Sequence, residues 1–389
     1  MFELPFYIQE ILAVLGKNGF QAYAVGGCVR DLLRGVTPND YDITTDALPE
    51  TVATLFPRTV PTGIRHGTVT VLCDDVPVEV TTFRQEYGYS DRRRPDRVDF
   101  VTDVKEDLAR RDFTVNAMAY HPEVGIVDPF GGQKDLQNGV LRAVGNAPLR
   151  FREDALRILR LFRFAATLGF SPEPKTLSAA LESSPLLQNI SRERIAVELA
   201  KTVCGQNPAA LTSLLQCGGL NFLSLCYQEP LSPLAELPNK LDLRLFGFLI
   251  SCGGTPDTLR ELRYSNHIIS ACERFFAVYQ TPITDSVGIK KTLRDYGEDT
   301  LLNSWDYRKV FYGENYENAE KTLADILENR EPYQICHLAV NGRQLKKLGF
   351  DGAEIGVILQ KLCDEVIRDP NQNTTENLLQ LSSEMQGTK

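Results

Sequence analysis

Asp40 and Asp42 stand two residues apart in the run NDYDITT, and Gly26 and Gly27 precede Arg30 in AVGGCVRDLL. Residues two apart on an extended strand point to the same face, so both carboxylates project into one spot. Carboxylate oxygens are hard ligands that suit Mg²⁺. A pair of such ions about 3.5–4 Å apart activates a hydroxyl and stabilises the leaving oxygen of an in-line displacement. The two glycines lack the Cβ that would hold a ligand away from the backbone. A helix opening just after them presents free N–H groups and a positive dipole end, which favours a phosphate. Each half has an ordinary alternative. Gly-Gly before a helix is most often a tight turn. A lone Asp-x-Asp is usually a solvated turn, and some glycosyl transferases also use one. The glycine pair is not G-x-G-x-x-G, which disfavours a dinucleotide fold. In conjunction, the two halves point to metal-assisted chemistry beside a phosphate.

Other charged residues have two readings each. Glu79 lies inside the β-branched run VEVTT, where a carboxylate is costly to bury without a partner. Either its face is solvated, or it is a third carboxylate near Asp40 and Asp42. Arg110-Arg111-Asp112 reads plainly as a helix-surface ion cluster, worth about a few tenths of a kcal/mol per pair. Asp154, Arg157, Arg160 and Arg163 are spaced three apart, so on a helix they wind slowly around it. Glu153–Arg157 and Asp154–Arg157 are spaced as surface ion pairs. Lys346 and Lys347, with the N–H groups near Gly352, suit either an RNA backbone or a packed hairpin with surface lysines.

These residues need elements to place them. Residues 6–15 carry apolar positions at helical spacing. Residues 22–25 suit a buried strand, 28–33 a short helix with Arg30 in its first turn, and 41–44 a second strand. Residues 48–55 suit a helix, and 68–72 and 76–83 are β-branched runs that read as strands. A small mixed sheet with helices on one side follows. Residues 84–97 hold five Arg against three acids with Gly and Pro, which reads as a solvated loop. Residues 103–120 read as helix and turn, 128–132 (DPFGG) as a structural turn, and 140–144 as a last strand. Residues 151–169 are rich in helix formers, with Gly169 to end the helix. Beyond residue 174 nearly every periodic segment is helical: 191–204, 207–216, 241–250 and a hairpin over 340–367.

The chain has 389 residues, 43% hydrophobic and 24% charged, with a net charge of −9. That is enough chain for two or three domains. The acidic balance argues against non-specific coating of RNA but leaves room for a local basic groove. Residues 142–163 form a basic run inside this acidic chain, with six Arg against two acids. Nine cysteines without a C-x-x-C, and four histidines, disfavour a zinc site. The first twenty or so residues lack the pattern of a leader peptide, and no stretch has the length of a membrane span. The expected location is the cytoplasm.

The succession of strand, Gly-Gly, Arg-Asp helix and Asp-x-Asp resembles the signature of the class II nucleotidyltransferase superfamily, which comprises bacterial and eukaryotic CCA-adding enzymes and bacterial poly(A) polymerases. The resemblance implies an α+β fold. A polymerase-β-like head with a small mixed sheet would occupy residues 1–146, a helical neck 147–204, and a helical body and tail 205–389. By match of motif, Gly26, Gly27 and Arg30 would meet the nucleotide triphosphate. Asp40 and Asp42 would carry Mg²⁺, with Glu79 beside them. Arg111 would pair with the phosphates, and Asp112 would accept from the ribose 2′-hydroxyl. Glu-Asp-x-x-Arg at 153–157 matches the base-selecting motif, with Asp154 accepting from the base and Arg157 donating to it. Arg160 and Arg163 would bear on the triphosphate or orient that pair. The family's usual Asp-Gly-Arg-Arg-Pro loop reads Asp91-Arg92-Arg93-Arg94-Pro95 here, so a glycine is replaced. The tail around Lys346 and Lys347 would grip tRNA. The implied activity is transfer of CMP and then AMP from CTP and ATP to the 3′ end of tRNA, with release of pyrophosphate. A poly(A) polymerase, an enzyme adding only C or only A, and a catalytically silent RNA-binding relative are the alternatives. Monomer and homodimer both fit.

Overall fold

A computed structural model describes residues 2–88 and 96–386; the altered loop motif at 91–95 lies outside the described residues. The chain forms two compact units. The first comprises Met1–Ala235 with Ser251–Gly254 and Glu261–Arg263, and the second takes the rest. The head and neck expected at 1–146 and 147–204 both fall in the first.

The first unit opens with helices and strands in the order α1 (Phe6–Lys17), β1 (Ala22–Val25), α2 (Gly27–Leu33), β2 (Asp42–Thr45), α3 (Pro49–Leu55), β3 (Thr59–Gly63), β4 (Thr68–Cys73), β5 (Val76–Thr82), β6 (Arg84–Tyr87), β7 (Arg97–Phe100), α4 (Val104–Ala109), β8 (Ala119–His121), β9 (Gly125–Val127) and α5 (Gly132–Gln137). Seven strands make one sheet in the order β3-β4-β5-β2-β1-β8-β9. It is mixed, because β2 and β5 run parallel while β1 pairs antiparallel with β2 and β8. Every residue of β1 is buried. Ala22 and Ala24 join a core with Ile8, Ile11, Leu15 and Val52. Tyr23 and Val25, on the opposite face, join Phe83, Val104 and Leu108. A strand apolar on both faces needs a layer on each. Helices therefore cover both sides of the sheet, and the one-sided arrangement expected from sequence is corrected.

Three other expectations change. Residues 84–97 are not wholly a loop, because β6 and β7 pair as a separate antiparallel ribbon; its charges misled because they pair with one another, Arg84 with Glu86 at 2.9 Å. Val140–Leu141 does not close the sheet but pairs in parallel with Ser171–Pro172. Strands β3, β8 and β9 went unread: β3 contains Pro61 at an edge where a missing N–H is tolerated, and β8 and β9 are too short to show a period. The turn at 128–132 is structural, as read. The Asp128 carboxylate accepts from Gly132 N (2.7 Å) and Gln133 N (2.9 Å) and so caps α5.

The neck segment contains α6 (Ala147–Glu153), α7 (Leu156–Leu168), α8 (Pro174–Ser183) and α9 (Arg192–Val203). The single helix expected over 151–169 is broken. Asp154 is extended, with φ −135° and ψ 102°, and its side chain accepts from Leu156 N at 3.0 Å. An aspartate that bonds a nearby backbone N–H competes with helix continuation, so Asp154 ends α6 and leads into α7.

Among its described residues the second unit is helical. Its core gathers Ile289, Leu301, Trp305, Tyr316 and Leu323. The hairpin expected over 340–367 is present as helices Gly342–Lys347 and Ala353–Arg368, packed through Leu345, Phe350, Ile358 and Leu362. Among the described residues no helix is long and apolar enough to cross a membrane.

Candidate active site

β1 is followed by Gly26, whose N–H donates to Met118 O at 3.1 Å. Its φ of +83° lies in the left-handed region, and a Cβ there would meet Arg111 Nη1 at 3.0 Å. Glycine at 26 thus lets the chain turn into α2 while the Arg111 guanidinium lies against the turn. On the neighbouring strand, Asp42 sits opposite Val25 in register, with Glu79 on its other side across β5.

Gly26, Gly27, Arg30, Asp40, Asp42, Arg111, Asp112, Asp154, Arg157, Arg160 and Arg163 all line one cleft of about 510 Å³. Arg110, Asn116, Leu156, Phe164 and Arg194 complete its walls. Of the residues expected at the site, Glu79 does not line the cleft; its side chain is exposed on β5. Lys346 and Lys347 belong to the second unit, where both are exposed.

Among the described residues, seven arginines and four aspartates face the cleft. Most arginines are held by partners that still leave donors over. Arg30 grips Asp31 through Nε and Nη2, both at 2.9 Å, and donates from Nη1 to Asn116 Oδ1 at 2.7 Å. Arg111 donates to Asp107 at 3.3 Å, while its buried Nε has no hydrogen-bond partner among the described residues. Asp107 is fully buried. Burial alone would raise its carboxyl, but Arg110 and Arg111 outweigh that and hold it below the usual range.

Asp112 accepts from Phe113 N (2.8 Å) and Asn116 Nδ2 (3.1 Å) on one oxygen, and from Arg160 Nε (2.8 Å) on the other. Burial pushes its carboxyl up, yet Arg160, the Asn116 bond and Arg157 prevail and bring it to about 2. Arg163 donates to Glu198 at 2.6 Å. Arg30, Arg160 and Arg163 all sit over the Phe164 ring, at 5.3, 5.2 and 3.6 Å from its centroid, where the ring's quadrupole attracts cations.

The base-selecting pair is arranged differently from its sequence spacing. The i,i+3 ion pair between Asp154 and Arg157 is absent, because the extended backbone at 154 turns the carboxylate away. Asp154 instead pairs with Arg194 through two bonds, at 3.3 and 2.8 Å. Arg157 donates to Glu153 (2.7 Å), to Arg150 O (3.1 Å) and to Arg110 O (2.9 Å). Three bonds from five N–H groups leave two donors. Asp154 accepts three bonds of roughly four possible, which leaves an acceptor site.

Arg194, Asn116, Phe164 and Glu198 escaped the reading of the sequence. Arg194 and Glu198 stand on α9, where Ser-Arg-Glu-Arg read only as a helix start, and Phe164 passed as one more apolar residue among arginines. No local pattern marks any of them: the packing of α7 on α9 sets Arg194 beside Phe164 at the cleft and Glu198 behind Arg163, while Asn116 arrives on the turn after α4.

Among the described residues no group of three or more His, Cys, Asp and Glu side chains is arranged to hold a metal ion. The carboxylates that line the cleft near Gly26 are Asp40 and Asp42, and Glu79 lies beside Asp42 across β5. Asp42 still reaches solvent, yet the surrounding protein pushes its carboxyl up to about 6; Arg111 opposes the rise, and Glu79 and Asp40 add to it. Two neighbouring carboxylates that crowd each other and offer hard oxygen donors fit a divalent cation.

Comparison with known proteins gives a consistent result. The family described as poly A polymerase head domain matches residues 22–142. The family described as probable RNA and SrmB-binding site of polymerase A matches residues 169–224. A CCA-adding enzyme of Enterococcus faecalis is 52% identical, over 95% of this chain and 93% of its own. One from a Geobacillus species is 38% identical, over 87% and 86%. The crystal structure of the Bacillus stearothermophilus CCA-adding enzyme in complex with CTP superposes with a TM-score of 0.81 at 30% identity, covering 99% of both chains.

Proposed function

The chain belongs to the family of the CCA-adding enzymes, and from that premise we propose that it is a tRNA nucleotidyltransferase that adds C and A to the 3′ end of tRNA without a nucleic-acid template. It takes CTP and ATP and releases pyrophosphate. The observation that carries this reading is the convergence of Asp40 and Asp42 with Asp154 and Arg157 on one cleft, although more than a hundred residues separate the pairs. In this reading the reaction takes place in the cytoplasm, with its tRNA.

Nucleotidyltransferases of this family generally depend on a divalent metal. Mg²⁺ held by Asp40 and Asp42, as one ion or a pair, would supply activation of the tRNA 3′-hydroxyl and charge neutralisation at the α-phosphorus. The protein's own groups do the rest. Arg111, with its unpartnered Nε and its place against Gly26, receives the triphosphate, and the further guanidinium groups around Phe164 keep that end positive. Asp112, ionised at any physiological pH, accepts from the ribose 2′-hydroxyl.

Cytosine and adenine both offer an amino donor beside a ring-nitrogen acceptor, whereas uracil and guanine offer the reverse order. The remaining acceptor site of Asp154 and the remaining donors of Arg157 match the first pattern. Against uracil or guanine they face acceptor to acceptor and donor to donor. Leaving buried polar groups unpaired costs about 1–3 kcal/mol each, so two mismatches supply orders of magnitude of discrimination. Arg194 holds the Asp154 carboxylate, and Glu153 holds Arg157, so both arrive oriented.

A tRNA lacking its last three nucleotides, incubated with each NTP singly and in combination and then sequenced at its 3′ end, tests the function. Addition of C, C and A, with nothing from UTP or GTP, is expected. Runs of A would indicate a poly(A) polymerase, and a stop after CC an enzyme adding only C. Asp42→Ala is expected to abolish incorporation of both nucleotides; retained turnover would remove the metal role.

A further inference from the structure

Beyond Asp42 the seven-stranded sheet carries a face that the nucleotide cleft does not use. Residues opposite one another in register share a face. Asp42 on β2 is therefore in line with Glu79 on β5 and Thr70 on β4, and Thr44 with Thr81 and Thr68. The alternate residues Val69, Val71, Val78 and Val80 point the other way, buried in the core. On the Asp42 face, Glu79 and Thr62 are exposed, and Thr68 and Thr81 are half-buried. Its hydroxyls stand in pairs, Thr62 with Thr70 at 2.9 Å and Thr68 with Thr81 at 3.1 Å. Within a pair one O–H is directed at the partner, and the other remains to donate outward.

Geometry and chemistry both say what belongs there. In an in-line displacement the attacking hydroxyl enters opposite the leaving group. Gly26, α2 and Arg111, where the triphosphate is received, lie on the β1 side of Asp42. The tRNA end therefore comes from the β5 side. The base at that end changes with each addition, so its seat has to hold the sugar–phosphate edge. Hydroxyls do this, because they donate to phosphate oxygens and exchange bonds with 2′-hydroxyls without reading sequence. The Glu79 carboxylate repels a phosphate and accepts from a hydroxyl, which sets the ribose beside Asp42 and the phosphate farther out. Strands about 4.8 Å apart put β4 about 10 Å from β2. Arg65, exposed in the single turn Ile64–His66 between β3 and β4, adds positive charge at that outer end.

We propose that this threonine face seats the last nucleotide of the tRNA. The pairs Thr62–Thr70 and Thr68–Thr81 hold its 5′-phosphate, so that its 3′-hydroxyl stands at Asp42 opposite the departing pyrophosphate. This rests on the reading of the protein as a tRNA nucleotidyltransferase. Pairing among the threonines orients their hydroxyls before the tRNA arrives. Because no base is gripped, one seat serves whichever base ends the tRNA.

The test replaces each pair whole, Thr62→Val with Thr70→Val and Thr68→Val with Thr81→Val. Removing both partners of a hydrogen bond leaves neither one unsatisfied, and valine keeps the β-branched shape that strands favour. The full-length proteins receive saturating CTP and a tRNA lacking its end, whose final phosphodiester is either natural or a neutral methylphosphonate. The single-turnover rate of the first C addition is measured beside the CTP dissociation constant. Both double variants are expected to add C about tenfold or more slowly, the effect of losing a hydrogen bond to a charged group, with CTP binding unchanged. The methylphosphonate should slow wild type by a similar factor and the variants far less, because the two changes remove one interaction. CTP binding that weakens in step with the rate would mean that the threonines serve the nucleotide site or the fold. An unchanged rate, or equal methylphosphonate effects in all proteins, would mean that the phosphate lies elsewhere. Either result overturns the inference. A wild type that adds no C to the natural tRNA would remove the reading of function itself, and the inference with it.

Discussion

At Asp112, burial and pairing act in opposite directions, and pairing prevails. The carboxyl rests at about 2, below its ordinary 3.8. A carboxylate whose value is depressed by folding adds stability that is complete above its unfolded value of about 4, and that is lost as pH falls through its folded value. The window is therefore about pH 4 to 2. A shift of this size corresponds to something on the order of 2 kcal/mol. Urea unfolding of wild type and Asp112→Asn should show the widest stability gap at pH 5 and above, narrowing as the pH is taken toward 3. A gap that stays constant with pH would mean that the Arg160–Asp112 pairing is not what stabilises the site. The same residue shows why motifs mislead when read singly: Arg-Arg-Asp in sequence is a surface ion cluster, whereas here the aspartate's partners come from α7 and from Asn116.

Among elements, the break between α6 and α7 matters most. A helix continuing through Asp154 would have left its carboxylate within reach of Arg157; the extended residue hands it to Arg194 on α9 instead. Helix propensity over 151–169 is high throughout, so the break was not legible, and only the aspartate's own bond to Leu156 N accounts for it. The Gly-Gly turn, the alternation around Asp40 and Asp42, and the sheet's central strands were legible because each is a local pattern. Arg194, Glu198 and Phe164 were not, because nothing local relates α7 to α9. A second element-level contact is testable. Gly132 opens α5 under the Thr114–Asn116 turn, and a Cβ there would meet Thr114 O at 2.2 Å and Met118 Sδ at 2.9 Å. Backbone cannot yield as a flexible side chain does, so Gly132→Ala should cost about 1–3 kcal/mol, the usual range for overpacking. Urea midpoints at neutral pH would show it, and an unchanged midpoint would mean that α5 is free to move away from the turn.

Over the whole molecule, a net charge of −9 coexists with a cleft where, among the described residues, seven arginines face four aspartates. A concentrated basic recess on an acidic chain draws polyanions toward it. Composition could state the imbalance but not its placement, because the arginines come from the α2, α4, α7 and α9 regions of the chain. In the proposed function, protein side chains in this cleft choose the base. The most direct measurement is kcat/KM for CTP, ATP, UTP and GTP on a tRNA lacking its end, for wild type, Asp154→Ala and Arg157→Ala, alongside CTP dissociation constants. Preference for C and A over U and G is expected to collapse in both variants by far more than triphosphate binding weakens; selectivity unchanged while binding is lost would mean that neither side chain reads the base.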